Sequence, residues 1–457
     1  MWFLHVSLLH GWLPATIAVA AWGAVVVGVA WWRRAIWHWL AVAAAAGAVA
    51  MVVSWVLDVP ARVGSTYPKS FLVWAALPVF ALGAGIWQWP RVGWPRRLLA
   101  FASVPLLAAC AGLVVNAYYS YLPTVGDLLG APLPGQVNAR QLESGPFGTP
   151  VAFQAGRTRT TATVGAVALV DIPATVSHFR HQKAYIWVPP VYFSTPRPQL
   201  PVLMLIAGTP GTPGDWLRGG GALTLANAWA AAHDGYAPMM VLPDANGGVL
   251  RDTECVDGPR GNAETYLTVD VVAFMRQAMG AAIDPRQWAI AGLSEGGTCA
   301  LDLATRHPAR FATFADFSGD PAPTLGSSAH TVSALYGGSW NALRAHDPTT
   351  WFASATSAGV EGFVAVGNAD HGYLRTEERI AQIANRDGMR TQLDIIPGGR
   401  HSFRTWARAL RDAYPWIVSR LDAHAPLSNV TLVHTQHGAR AHNLLAEKTL
   451  RRHTGNP

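Results

Sequence analysis

Hydrophobic residues fall into two regimes along the chain. Up to about residue 120 they run almost unbroken, in four stretches near 9–31, 36–57, 71–90 and 98–119. Each approaches the ~20 residues that a helix needs to cross the hydrocarbon layer of a bilayer. From about 161 the runs shorten and begin to alternate. Strands are expected at Thr163–Val170, Lys183–Val188, Val202–Ile206, Pro238–Leu242, Trp288–Ala291, Phe311–Phe317, Gly362–Val366 and Arg390–Ile396. Between and after them, helical periods occupy Ala222–Ala232, Glu264–Met279, the stretch from Ser294 to about Thr305, Thr376–Asn385 and about 402–423. Strands and helices alternating at this spacing predict an α/β fold, with a mostly parallel, doubly wound sheet covered on both faces.

Two segments break the rhythm. Residues 121–160 are rich in Gly and Pro and read as a linker. Residues 320–358 interrupt the alternation and are candidates for a cap over a site. After 424 the apolar period stops, and the tail, with Arg440, Lys448, Arg451 and Arg452, has the composition of a disordered segment. The expected organisation is therefore four transmembrane helices in 1–120, a linker in 121–160, an α/β domain in 161–424 and a basic tail in 425–457.

The formal charge of +7 invites a nucleic-acid partner, but its distribution argues against one. Residues 1–120 carry seven Lys/Arg against a single acid, Asp58, whereas 121–424 are close to neutral. The basic residues thus belong to membrane loops and the tail. Arg33, Arg34, Arg91, Arg96 and Arg97 make the first and third loops cytoplasmic by the positive-inside tendency, while the second holds only Arg62 and Lys69 beside Asp58. The N-terminus and everything after 120 are then expected outside the cell. Twelve of the twenty Trp precede residue 95, and Trp31, Trp32, Trp55, Trp87 and Trp89 sit at run ends, where an indole prefers the interface. The first run is too long for a cleaved signal peptide and no Lys/Arg precedes it. With only His10 and His38 near the interfaces and no acids inside the spans, the helices read as an anchor rather than a proton path. Of three cysteines, Cys110 lies in the fourth run. Cys255 and Cys299 either bridge, as an oxidising exterior permits, or remain two buried thiols.

The chemistry centres on Trp288-Ala-Ile-Ala-Gly-Leu-Ser-Glu-Gly-Gly-Thr-Cys-Ala300. An apolar strand runs into Gly292-Leu-Ser-Glu-Gly296, and a helical pattern follows at once. A serine hydroxyl becomes a nucleophile when it is exposed, rigid and next to a base. A sharp strand-to-helix turn supplies the exposure, provided the residues two before and two after are small. Ser294 is accordingly the candidate nucleophile. His401, between the last strand and the last helix, is the candidate base. Asp370, in the short loop after Gly362–Val366, is the candidate acid, with Glu377 and Glu378 in the next helix as rivals. An oxyanion hole would combine the amide of Glu295 with one from the loop Ala207–Trp216. Pro210 has no N–H, which leaves Thr209 as the donor. No phosphate loop, dinucleotide fingerprint or metal-ligand spacing occurs, so neither a cofactor nor a metal is expected.

Ile172-Pro173, Trp187-Val-Pro-Pro-Val-Tyr192, Gly208 with Trp216, Gly292-Leu-Ser-Glu-Gly-Gly297 and Pro397-Gly-Gly-Arg-His-Ser402 together resemble the esterase D and mycolyltransferase-like group of α/β-hydrolases. The stretches Asp252-Thr-Glu-Cys-Val-Asp257 and Glu264-Thr-Tyr-Leu-Thr-Val-Asp270 look like its membrane-anchored actinobacterial members. The resemblance covers about 165–423 and implies an α/β-hydrolase fold with Ser294, His401 and Asp370 as a triad. The mycolyltransferase branch uses a glutamate acid, which keeps Glu377 and Glu378 open, and no trehalose pocket is legible. The function expected is a membrane-anchored, extracytoplasmic serine esterase or acyltransferase. Its partners would be an ester or lipid substrate and a sugar or lipid acyl acceptor. The competing expectation is a catalytically inactive hydrolase-fold domain that binds cell-envelope material.

Overall fold

The computed structural model describes residues 2–29, 36–56, 68–143, 151, 153, 158, 160–352 and 359–422. Arg33, Arg34, Asp58, Arg62 and the tail from 423 lie outside the described residues, as do Trp31 and Trp32.

Among the described residues, four apolar helices come first: α1 (Trp12–Val29), α2 (Ile36–Val56), α3 (Ser70–Gln88) and α4 (Trp94–Tyr119). Among the described residues, two are long and apolar enough to cross a membrane, the stretch Ser70–Arg91 that contains α3, and α4 itself; α1 and α2 contribute shorter apolar segments. The helices pack as α1 on α4, α4 on α3 and α3 on α2. Small residues sit where they meet: Ala21, Ala81 and Cys110 are buried with Leu107. Such small residues let the helix backbones approach closely.

The rest of the described chain is built on one nine-stranded sheet. Its strands are β1 (Gln136–Val137), β2 (Ala166–Val170), β3 (Ala184–Val188), β4 (Val202–Ile206), β5 (Met239–Leu242), β6 (Trp288–Leu293), β7 (Thr313–Phe317), β8 (Glu361–Gly367) and β9 (Thr391–Ile396). They run in the order β1-β2-β3-β5-β4-β6-β7-β8-β9. Only β3 is antiparallel to its neighbours; every other pairing is parallel. Parallel strands must cross over through helices, and both faces are therefore covered. The side chains of β4 show this directly. Val202, Met204 and Ile206 enter one core with α6 (Val271–Ala278), α7 (Glu295–Arg306) and α10 (Leu374–Arg386), whereas Leu203 and Leu205 enter the other with α5 (Ala222–Ala232) and α11 (Phe403–Asp422).

Three features differ from the sequence expectation. The segment expected to be a linker contributes β1, which pairs with β2, and its Leu133 and Leu142 are buried in the two cores. Short local signals, a two-residue strand among Gly and Pro, hide such an element. The helix expected over Glu264–Met279 is regular in one turn at Ala263–Thr265 and again in α6. Between them, Tyr266–Asp270 is wound more widely, and Asp270 there accepts the Val176 and Ser177 amides at 3.0 and 2.9 Å. Finally, α8 (Ser328–Tyr336) and α9 (Trp340–Ala345), from the stretch expected to form a cap, pack on the Val256 region. His346, just after α9, bonds to Asp302 and Arg306 on the later turns of α7.

Candidate active site

Order reversal around β4 and β6 opens a crevice at the carboxyl ends of these strands, where open α/β sheets bind ligands. Ser294 stands there, at the bend between β6 and α7. Its backbone adopts φ 53° and ψ −125°, a conformation that costs a non-glycine residue on the order of 1–3 kcal/mol. The neighbouring glycines make the bend possible. A Cβ on Gly292 would overlap the Gly296 carbonyl, and one on Gly296 would overlap the Ile206 carbonyl. The Ser294 amide donates to the Phe317 carbonyl at 2.9 Å, which ties the bend to β7.

Two loops bring partners to this serine. Asp370 follows β8 and His401 follows β9, and the strands lie side by side. Their loops touch backbone to backbone, because Gly367 and Gly399 pack with no room for a side chain on either. The Ala369 amide donates to the Gly399 carbonyl at 2.8 Å, and the Gly398 amide donates to Asn368 Oδ1 at 2.8 Å. As a result His401 Nε2 lies 2.9 Å from Ser294 Oγ, and His401 Nδ1 lies 2.9 Å from Asp370 Oδ2. Asp370 and His401 are both buried. The imidazole is held on two sides: Tyr373 stacks on it with ring centroids 4.4 Å apart, and Trp406 meets it edge-on at 4.8 Å.

The rival acids stand elsewhere. Glu378 is exposed on α10. Glu377 is fully buried and accepts the Gly319 amide at 2.7 Å. It pairs with Asp316 of β7, and neither Asp316 Oδ2 nor Glu377 Oε2 meets an N–H donor; a proton shared between the carboxyls satisfies both. Burial pushes Asp316 up to about 8, and burial together with the charge of Asp316 pushes Glu377 well above the usual carboxylate range. The folded pKa values lie above the unfolded ones. Stability from this pair is therefore complete below about pH 4 and is lost as pH rises through about 8. Melting temperature measured from pH 5 to pH 9 is expected to fall, and Glu377→Gln should flatten that fall; an unchanged slope in the variant would contradict the shared proton.

Thr209 and Glu295 flank the serine. Gly208 packs against the bend, its missing Cβ lying 2.9 Å from the Leu293 carbonyl and 3.1 Å from the Ser294 Cβ. Neither the Thr209 nor the Glu295 amide meets a protein acceptor among the described residues. The Glu295 side chain turns inward, accepting from Asn246 Nδ2 at 3.0 Å and Thr209 Oγ1 at 3.2 Å. Burial, aided by the charge of Asp252, raises its carboxyl well above the usual range. The raised carboxyl disfavours a fixed negative charge beside the amides. Cys255 and Cys299 are joined by a disulfide. Their sulfurs and Glu295 lie within 4.8 Å of one another, but bonded sulfurs offer no thiolate to a cation.

Ser294 opens into a cavity of about 510 Å³, within the ~300–1,000 Å³ typical of small-molecule sites. Gly208, Thr209 and Pro210 line it from the loop after β4, and Tyr373, Phe403 and Trp406 from the region of His401. Its remaining wall is unexpected: residues of α4 and the turn after it, from Gly112 to Leu122. Sequence reasoning missed Tyr373 and Trp406, although each lies within five residues of a candidate triad member. It had no signal for α4, whose apolar pattern says only that the helix avoids water.

The sequence pattern of the family described as Putative esterase matches residues 179–417. The chain belongs to this esterase family. An uncharacterized protein of Corynebacterium glutamicum is 33% identical over 363 residues, covering 77% of this chain and 82% of that one. Among solved structures, a ferulic acid esterase superposes with a TM-score of 0.50 at 19% identity, over 56% of this chain and 99% of that one, and shares its fold. A fluorophosphonate-binding serine hydrolase of Staphylococcus aureus, solved with substrate bound, gives a TM-score of 0.48 at 18% identity, over 56% of this chain and 99% of that one. The protein is thus a carboxylic-ester hydrolase or acyltransferase with the α/β-hydrolase fold.

Proposed function

We propose that Ser294, His401 and Asp370 act as a catalytic triad in a membrane-embedded enzyme whose catalytic domain lies outside the cytoplasm. The observation that carries this reading is the unbroken pair of 2.9 Å contacts from Ser294 through His401 to Asp370 at the cavity. Ser294 Oγ attacks the ester carbonyl carbon while His401 Nε2 takes its proton. The tetrahedral oxyanion is stabilised by the Thr209 and Glu295 amides. As the bond to the leaving oxygen breaks, His401 returns the proton to the departing alcohol. Asp370 holds the imidazole tautomer that presents Nε2 to the serine and stabilises the imidazolium. The acyl-enzyme is then resolved by water, or by a sugar or lipid hydroxyl, with the same proton transfers in reverse order.

Four apolar helices, the basic first and third loops and the disulfide support an extracytoplasmic placement. The test is labelling of intact cells with a membrane-impermeant fluorophosphonate probe. Wild type is expected to be labelled and Ser294→Ala unlabelled. An unlabelled wild type that labels only after lysis would overturn the placement. One that stays unlabelled after lysis would overturn the triad and favour a hydrolase-fold domain that binds cell-envelope material.

A further inference from the structure

We infer that the carboxyl-terminal turns of α4 form the acyl-chain subsite of this enzyme, so that its substrate is a long-chain lipid ester drawn from the bilayer. The inference rests on the proposed role of Ser294 and adds the substrate class. Gly112, Val115, Asn116 and Tyr119 line the same cavity as the serine. Their spacing of three, four and seven residues places them on one face of the helix. Asn116 contributes little polarity to that face, because its side-chain amide donates to the Leu122 carbonyl at 2.9 Å and its Oδ1 accepts the Leu122 amide at 2.7 Å. The contact partners added by the hydrolase domain include Val249, Phe403 and Trp406, so the surface offered beside the nucleophile is largely hydrocarbon.

The junction is built to hold this position. Tyr121, just beyond the helix, donates from its hydroxyl to Asp215 Oδ1 at 3.0 Å, and its ring centroid lies 5.2 Å from that of Phe403. Arg218 pairs with Asp127 at 2.9 Å. The helix is thereby fixed as a wall of the site and not merely tethered to it. At 26 residues α4 is about 39 Å long, more than the ~30 Å hydrocarbon layer. Gly112 lies seven residues before its end, about 10 Å along the axis. The cavity thus runs from Ser294 down along the last two turns of α4, toward the apolar length of the helix that continues below Gly112. A lipid ester can keep its chain in apolar surroundings while its carbonyl rises to the serine, whereas a water-soluble ester gains nothing from such a wall. A small residue at 112 leaves the passage open, and a Cβ there would meet no heavy atom within 4 Å.

The experiment uses full-length protein in lipid nanodiscs and a series of p-nitrophenyl esters from butyrate to palmitate. Wild type is expected to favour the long chains. Gly112→Trp and Val115→Trp are expected to lower the palmitate-to-butyrate ratio of kcat/KM at least tenfold, since each buried methylene contributes about fourfold. Leu98→Trp, on an exposed part of the same helix, should leave the ratio unchanged. Fluorophosphonate labelling of each variant reports that its nucleophile is intact. Palmitoyl ester embedded in the protein's own nanodisc should be turned over faster than the same ester supplied in separate vesicles. A labelled Gly112→Trp and Val115→Trp pair with the wild-type ratio would overturn the subsite, and equal rates from both lipid sources would overturn the bilayer route. An unlabelled wild type would instead defeat the triad itself.

Discussion

Ser294→Ala is expected to lower kcat/KM for an activated ester by on the order of 10⁶-fold, and Asp370→Asn by on the order of 10⁴-fold. The two numbers differ because the residues fail in different ways. Without Oγ no acyl-enzyme can form, and only binding and oxyanion stabilisation remain. With asparagine at 370, His401 keeps its place but loses the carboxylate 2.9 Å from Nδ1 that selects its tautomer and stabilises its charged form. The same assay decides among the acids. Glu377→Gln and Glu378→Gln should each change kcat/KM by less than about tenfold, since neither carboxylate bonds to His401 among the described contacts. A collapse of activity in Glu377→Gln, with Asp370→Asn near wild type, would reverse the assignment. Circular dichroism and thermal melting should accompany each variant, because Glu377 is buried and its replacement also tests the fold.

Why does the local pattern single out Ser294, while Asp370 keeps two rivals as the acid? The bend has strictly local requirements. A strand, two glycines at fixed offsets and a helix determine it, and Gly292 and Gly296 meet carbonyls within a few residues or on the adjacent strand. His401 and Asp370 come from segments 31 residues apart, so only their place after neighbouring strands pointed to both. Glu377, seven residues on in the next helix, stays a rival along the chain. Its partners in the fold are Asp316 and Gly319, which lie about 60 residues earlier and meet it only in the folded core. Hydrophobic periodicity located the strands of the sheet because each must bury side chains on two faces. It was silent where burial is shared between distant pieces, as at β1 and at the wall made by α4. The stretch 320–358 showed the opposite failure. Its irregular pattern suggested a cap, but Leu335 and Tyr336 are buried against Val256 instead, and the described part of that stretch does not line the cavity.

Breaking the Cys255–Cys299 bridge, whose two sulfurs are buried in the core beneath α6 and α7, is expected to have a large effect on stability. The bond closes a loop across 44 positions that contains β6 and Ser294 itself. Chain-entropy estimates give about 3 kcal/mol for a 15-residue loop and about 4.7 for a 100-residue loop, so about 4 kcal/mol is expected here. For a domain of this size each kcal/mol moves the melting temperature by roughly 2–4 °C, and the double variant Cys255→Ala, Cys299→Ala should melt roughly 8–16 °C lower. The bridge also pins a tight turn. Glu254 and Cys255 both adopt left-handed backbone conformations, and Glu254 is buried with its carboxyl raised well above the usual range by burial and by Asp252. Releasing that turn lets water reach the carboxyl and favours its ionisation beside the first turn of α7, where burial likewise raises the Glu295 carboxyl. Loss of the bridge should therefore lower activity below the melting range as well, with labelling of Ser294 reduced. Thiol titration of denatured protein checks the premise: one reactive thiol, Cys110, without reductant and three with it. Three thiols before reduction, or equal melting temperatures with and without reductant, would show that the bond does not carry the stability assigned to it.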